Sequence, residues 1–148
     1  MTYVFPIKPD DFSSCFDVVC CYVCVGDRVL ALLRREDKSE GGVWCIPGGK
    51  AEAGEDMVAA VVREIHEETG LILDPEKLKY HGHNFVRYPD IGKDFIKHEF
   101  SYTLDSEPEV IISPLEHIEY SWLTEKELQT FSFVRGEDEC MKARFGWE

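Results

Sequence analysis

Glu64, Glu67 and Glu68 are the residues of this sequence best placed to do chemistry. On a helix turning about 100° per residue, Glu67 and Glu68 fall within about 60° of Glu64, so three carboxylates share one narrow stripe. Val58, Val61, Val62, Ile65 and Thr69 fall between about 60° and 160° on the same wheel, an apolar face that can dock on a sheet. Arg63 stands one turn before Glu67. The stripe should cost stability. Like charges at i,i+3 and i,i+4 repel by roughly a few tenths of a kcal/mol each, and anions near a helix C-terminus oppose the dipole by roughly 0.3–1 kcal/mol. Local rule-breaking of this kind marks functional sites. Hard divalent cations such as Mg2+ and Mn2+ take carboxylate oxygens, and Mg2+ shares its shell with waters and substrate phosphates.

The elements that must position this stripe are readable in outline. Asp56 to Thr69 is the clearest helix, with Asp56 as N-cap and Gly70 where a left-handed residue closes a helix. Before it, Phe16 to Val25 reads as a buried strand that Gly26-Asp27 turns into a second, Val29 to Arg34. Glu36 to Gly42 is a polar loop, and Val43 to Ile46 runs into Pro47-Gly48-Gly49, which is expected to continue neither strand nor helix. After the helix, His83 to Tyr88 and Phe95 to Leu104 read as strands joined through Pro89-Asp90-Ile91-Gly92. His117 to Trp122 alternates, with Ile118, Tyr120 and Trp122 on one face. Thr124-Glu125-Lys126-Glu127 is a capping box opening a short helix, and a last helix runs from about Glu137 to Phe145. Several strand pairs are joined by turns too short for a parallel crossover, which predicts an α+β or mixed α/β fold.

From Gly49 the chain reads Gly49, five residues, Glu55, seven residues, then Arg63-Glu64-Ile65-His66-Glu67-Glu68-Thr69-Gly70-Leu71. This resembles the Nudix box, the loop-helix-loop signature of the Nudix (MutT-like) hydrolases, at all nine of its specified positions. With average residue usage, a chance match is on the order of 10⁻⁹ per starting register. Gly42-x-Trp44-x-x-Pro47-Gly48-Gly49 resembles the family's lead-in, and Leu30 to Arg35 its preceding strand. Glu116-His117-x-x-Tyr120-x-Trp122 with Glu125-x-Glu127-Leu128 resembles the downstream strand and helix. The resemblance covers Phe16 to Leu128 and leaves the first fifteen residues and the C-terminal tail unassigned.

The resemblance implies an α/β/α sandwich on a mixed sheet, and hydrolysis of a nucleoside diphosphate linked to another group by water attack on phosphorus. It implies Mg2+ as cofactor, with Mn2+ as a substitute. Glu64, Glu67 and Glu68 would be the metal ligands, with the Gly48 carbonyl as a further one. Arg63 would orient a carboxylate, and Glu55 would support the site or join it when more than one ion binds. Members differ in their general base; Glu64, Glu99 and Glu116 are the candidates here. Glu99 shares the polar face of its strand with Lys97 and Ser101, which predicts exposure to solvent. Arg34, Arg35 and Gly49 are the candidates for holding substrate phosphate. Trp44 reads as core, whereas Tyr88, Phe95 and Phe133 are each a candidate for stacking a base.

Compact size favours a nucleoside triphosphate as substrate, giving a nucleoside monophosphate and pyrophosphate. Dinucleoside polyphosphates, ADP-ribose, nucleotide sugars and capped RNA ends stay open, as does a non-catalytic module that senses a nucleotide. Homodimers are frequent among such proteins.

Composition bounds these readings. A chain of 148 residues is read as a single domain over 1–148, long enough for its own core. Hydrophobic residues at 44% and charged residues at 30% are ordinary globular values. Against 29 Asp and Glu there are only 16 Lys and Arg, a formal charge of −13, which disfavours a general nucleic-acid groove or binding to an anionic membrane. No run reaches the roughly 18 apolar residues of a membrane helix, and Met1 to Pro6 lacks the pattern of a signal peptide. Cys21-x-x-Cys24 lies in a strand, where residues three apart face opposite ways, so it reads as packing rather than metal or redox chemistry. Six cysteines without a disulfide framework predict the reducing cytoplasm.

Overall fold

The computed structural model describes residues 1–147. Its central strand is β2 (Phe16–Val25), a run of β-branched, aromatic and cysteine side chains that suits an extended chain buried on both faces. Val19, Cys21 and Val23 enter the core on one side, and Cys20 and Tyr22 on the other. Cys21 and Cys24 accordingly serve opposite faces, as the spacing predicts. A second long strand, Lys93–Leu104, lies parallel to β2 along its whole length, from the Phe16–Phe95 pair to Val25–Leu104.

On the other side of β2 the sheet divides. β3 (Arg28–Arg34) pairs with β2 only beside the Gly26-Asp27 turn, then leaves it to pair with β4 (Trp44–Cys45) and with the strand His117–Thr124. The room this opens is taken by β5 (Gly48–Lys50), antiparallel to Val18–Cys20. The expectation that Pro47-Gly48-Gly49 would carry no strand is therefore corrected. A Cβ on Gly48 would collide with the Val19 carbonyl, so glycine is what lets this backbone close on β2. Pro47 supports the contact through its carbonyl, which accepts from Cys21 N at 3.0 Å.

β6 (Lys79–Tyr88) runs antiparallel to β7, the Lys93–Leu104 strand. Both begin earlier than their apolar runs suggest, and a 3₁₀ turn at Pro89–Ile91 with Gly92 at φ 62° joins them. β1 (Val4–Phe5) adds to the outer edge of β6, so part of the N-terminal segment left unassigned above belongs to the sheet.

α1 (Met57–Thr69) starts where the Asp56 carboxylate accepts from Ala59 N, and ends where Gly70 takes φ 75° and donates to the His66 carbonyl. It buries Ala60, Val61 and Ile65 on the Val19 side of the sheet, beside Phe100 and Tyr102. Complete burial of a side chain such as Ile65 stabilises by roughly 1.5–3 kcal/mol. The opposite face is covered by α2 (Glu125–Leu128), opened by the Thr124/Glu127 capping box, and by α3 (Glu137–Phe145). Leu128 and Met141 pack there against Cys20 and Tyr22. Helices thus cover both faces of a mixed sheet.

β8 (His117–Thr124) departs from its alternation in one respect. Trp122 is buried, but Ile118 and Tyr120 are exposed. Among the described residues the strand pairs only with β3; its buried residues are His117 at its start and Trp122 and Leu123 near its end, and the stretch between them lies off the core. Among the described residues no helix is long and apolar enough to cross a membrane.

Candidate active site

Arg63 organises the acidic stripe of α1. Its Nε and Nη2 donate to the two oxygens of Glu55 at 2.8 and 2.9 Å, a bidentate pair. Nη1 reaches Glu64 at 3.0 Å and Glu67 at 3.3 Å, and Nη2 also donates to the Lys50 carbonyl at 3.2 Å. One guanidinium therefore ties β5, the loop before the helix and two helix carboxylates together. The Arg63 hydrogen bonds, helped by the Glu52 N–H, hold the Glu55 carboxyl down at about 2. Glu64 is half-buried, and burial raises its pKa against the lowering effect of Arg63; the charges of Glu67 and Glu116 push the same way as burial. Its carboxylate lies where a side chain on Gly49 would be.

Glu68 is different in kind, being only 8% exposed. Its Oε1 accepts from Gly48 N at 2.7 Å, and its Oε2 lies 3.8 Å from Nε2 of the fully buried His117. Burial pushes the Glu68 carboxyl up to about 8; the Gly48 hydrogen bond opposes this, and the charges of Glu64 and Glu116 add to it. Burial and the Arg34 charge hold His117 down at about 4. The sequence places His117 in the downstream strand motif but gives it no role in the site, since one histidine on an alternating strand carries no signal of its own. Gly48 meets Glu68 through its N–H, whereas the resemblance pointed to its carbonyl.

As the side chains stand, no group of three or more His, Cys, Asp or Glu among the described residues is gathered closely enough to hold an ion. Glu64 and Glu67 turn toward Arg63 instead. The donor set nonetheless fits a hard divalent cation: Glu64, Glu67 and Glu68 offer only carboxylate oxygens, the ligands Mg2+ and Mn2+ take. Burial raises Glu64 and Glu68, and the charges of neighbouring carboxylates add to it; a cation placed among them would relieve that added repulsion.

A cavity of about 190 Å³ runs from Glu68, the member of the stripe that lines it, to the sheet face beneath α3. Glu68, Gly48, Gly49 and Arg34 line it, and so do Tyr88, Phe95, Lys97, Arg135 and Glu137. Of the two arginines, Arg34 is brought to the cavity, braced by Nη2 on the Ser39 carbonyl at 2.6 Å. Arg35 instead binds Asp37 at 3.0 Å and the Pro114 carbonyl at 3.1 Å. Glu116 is exposed in the turn immediately before β8, close enough to act on Glu64 and Glu68. Tyr88 and Phe95 face the cavity as an edge-to-face pair 5.4 Å apart. Phe133 and Trp44 pack against the core under α2 and α3.

The expected exposure of Glu99 is overturned. It is buried, accepting from Tyr22 Oη at 2.7 Å and Asn84 Nδ2 at 2.9 Å. Lys97 is buried on the same face and donates to Glu137 at 2.7 Å. The polar face of β7 looks solvated in sequence because α3, which comes last in the chain, folds back to cover it.

Compared with known families, residues 16–143 match the NUDIX domain. The chain belongs to the Nudix hydrolase family. The match takes in most of α3, which the box and its flanking motifs did not reach. This Nudix chain is 35% identical over 79 residues to the 8-oxo-dGDP phosphatase of Homo sapiens, a stretch covering 51% of this chain and 24% of that protein. It is 48% identical over 46 residues to the ADP-ribose pyrophosphatase of Methanocaldococcus jannaschii, covering 31% of this chain and 27% of the other. The aligned parts thus span about a quarter of those relatives' length. Among solved structures, the MutT protein of Methanosarcina mazei Go1 superposes with a TM-score of 0.74 at 25% identity, over 88% of this chain and 92% of that one.

Proposed function

We propose that this Nudix protein is a divalent-metal-dependent pyrophosphohydrolase that cleaves a nucleoside triphosphate to a nucleoside monophosphate and pyrophosphate. The observation that carries this reading is the continuous cavity that runs from Glu68, Gly48 and Gly49 to the aromatic pair Tyr88 and Phe95. It suits a substrate with a polyphosphate at one end and a single base at the other. At about 190 Å³ it is smaller than the roughly 300–1,000 Å³ of a site for a drug-sized ligand, so it takes the base and only part of the polyphosphate.

In the reaction, the oxygen of water bonds to phosphorus as the bridging P–O bond breaks, and the water's proton passes to a carboxylate. Glu64 is the base in this reading, with Glu116 the acceptor outside the helix. Glu64, Glu67, Glu68 and the Gly48 carbonyl would hold Mg2+ or Mn2+, with Glu55 in support. When bound, the ion would stabilise charge developing on the phosphoryl oxygens. Arg63 fixes the orientation of Glu64 and Glu67 by charge-assisted hydrogen bonds. Gly49, lacking a side chain, leaves the Glu64 carboxylate its place, and Arg34 faces the cavity where substrate phosphate would lie. Arg35, engaged with Asp37, is a weaker partner for phosphate.

The phosphatase relative favours a second reading, a nucleoside diphosphate giving a monophosphate and phosphate. Incubation with nucleoside di- and triphosphates and Mg2+, with products separated by anion exchange, distinguishes the two. Monophosphate with pyrophosphate supports the triphosphate reading; monophosphate with phosphate, from diphosphates alone, replaces it. A Nudix module that senses nucleotides would bind them and release neither product.

A further inference from the structure

The deep part of the cavity is walled by apolar groups, Tyr88, Phe95 and Val86 among them, and carries one ion pair. Lys97 on β7 and Glu137 at the start of α3 meet there, Nζ to Oε1 at 2.7 Å, with side chains 9% and 4% exposed. A buried ion pair is a poor device for stability, because desolvation offsets the attraction and apolar side chains of similar volume do as well or better. This pair is also incompletely used. The Lys97 ammonium has three N–H groups, and among the described residues it donates one of them, to Glu137. Glu137 Oε2 accepts no hydrogen bond among the described residues. A donor and a charged acceptor therefore stand side by side in a cavity that Tyr88 and Phe95 also line.

We propose that Lys97 and Glu137 read the edge of the base and select guanine-type bases over adenine, cytosine and uracil. This rests on the nucleotide reading of the cavity given above. Guanine carries the O6 acceptor next to two donors, N1–H and the exocyclic N2 amine. It can take one hydrogen bond from Lys97 and give two to the Glu137 carboxylate, which accepts bidentately. Adenine, cytosine and uracil each offer this pair one donor and one acceptor, so one charged acceptor site goes unmatched.

The test is equilibrium binding of GMP, AMP, CMP and UMP in EDTA, which needs neither metal nor turnover. The expected result is GMP tighter than the others by roughly tenfold, what one charge-assisted hydrogen bond is worth. In the double variant Lys97→Met with Glu137→Leu, which removes both members of the pair together, the preference should fall to within about twofold. Should that variant not fold, Glu137→Gln keeps the shape of the side chain and should lose most of the preference for GMP. Equal binding of the four monophosphates by the wild type, or a preference that survives either variant, would overturn the assignment. Parallel Mg2+-dependent assays with the four triphosphates separate the two claims. Hydrolysis without base preference sinks this inference and leaves the hydrolase standing; GMP-selective binding without hydrolysis does the reverse.

Discussion

The carboxylate of Glu64 fills the space in which a side chain on Gly49 would have to sit. The two residues are fifteen positions apart and on different elements, so the glycine is a steric condition for the glutamate. Its neighbour Gly48 is needed for another reason, since a Cβ there would strike the backbone of β2. The two glycines should respond differently to alanine. Gly49→Ala meets the far end of a flexible side chain, so it should fold normally and lose roughly 10²-fold in turnover as the Glu64 carboxylate is displaced. Gly48→Ala meets main chain and should lose about 1–3 kcal/mol of stability. Thermal denaturation beside kcat checks both. Equal losses of stability would contradict the distinction.

Arg63 serves Glu55 with two hydrogen bonds while reaching Glu64 and Glu67 with a third nitrogen. A lysine keeps the charge but cannot span those partners. Arg63→Lys is expected to lower turnover by roughly 10–100-fold, the usual loss when a group that orients metal ligands is removed. The Mg2+ concentration for half-maximal rate should rise in parallel. An unchanged metal dependence would show that Arg63 does not position the carboxylates.

Much of this site was legible in the sequence, and the part that was not has a physical cause. The spacing of Glu64, Glu67 and Glu68 follows from helical geometry, and Asp56 and Gly70 mark the helix ends by local chemistry, so both could be read directly. Glu68 could be placed on the stripe, but its burial depends on Gly48 closing against β2, a contact between distant segments. Glu99 and Lys97 looked solvent-exposed because strand alternation shows which residues share a face and not what covers that face. The helix that covers it lies some forty residues further on, joined to Lys97 through Glu137. Ile118 and Tyr120 illustrate the converse, an apolar alternation continuing past the edge of the core.

The hairpin that carries Tyr88, Phe95 and Lys97 is fastened by Arg87, whose Nε and Nη2 donate to Asp94 at 2.9 and 3.0 Å. Arg87 holds the Asp94 carboxyl below its ordinary range. An acid whose pKa is lower in the folded state stabilises the fold fully above its unfolded value, about 3.9, and loses that contribution as pH falls through the folded value. Asp94→Asn should therefore lower the thermal midpoint at pH 7, and the gap from wild type should close as pH drops below about 4. A gap that stays constant with pH would assign the effect of the variant to packing.

The central claim, that the carboxylates of α1 drive metal-dependent hydrolysis, is tested most directly by turnover of wild type and Glu64→Gln. The panel should hold nucleoside di- and triphosphates, ADP-ribose, dinucleoside polyphosphates and nucleotide sugars, each with Mg2+, with Mn2+ and with EDTA. Glutamine still accepts from Arg63 and fits beside Gly49 but carries no charge and takes no proton. The expected result is wild-type turnover of at least one substrate that EDTA abolishes, and a folded Glu64→Gln slower by about 10²-fold or more, the scale of a lost general base. Turnover by Glu64→Gln at the wild-type rate would contradict the account.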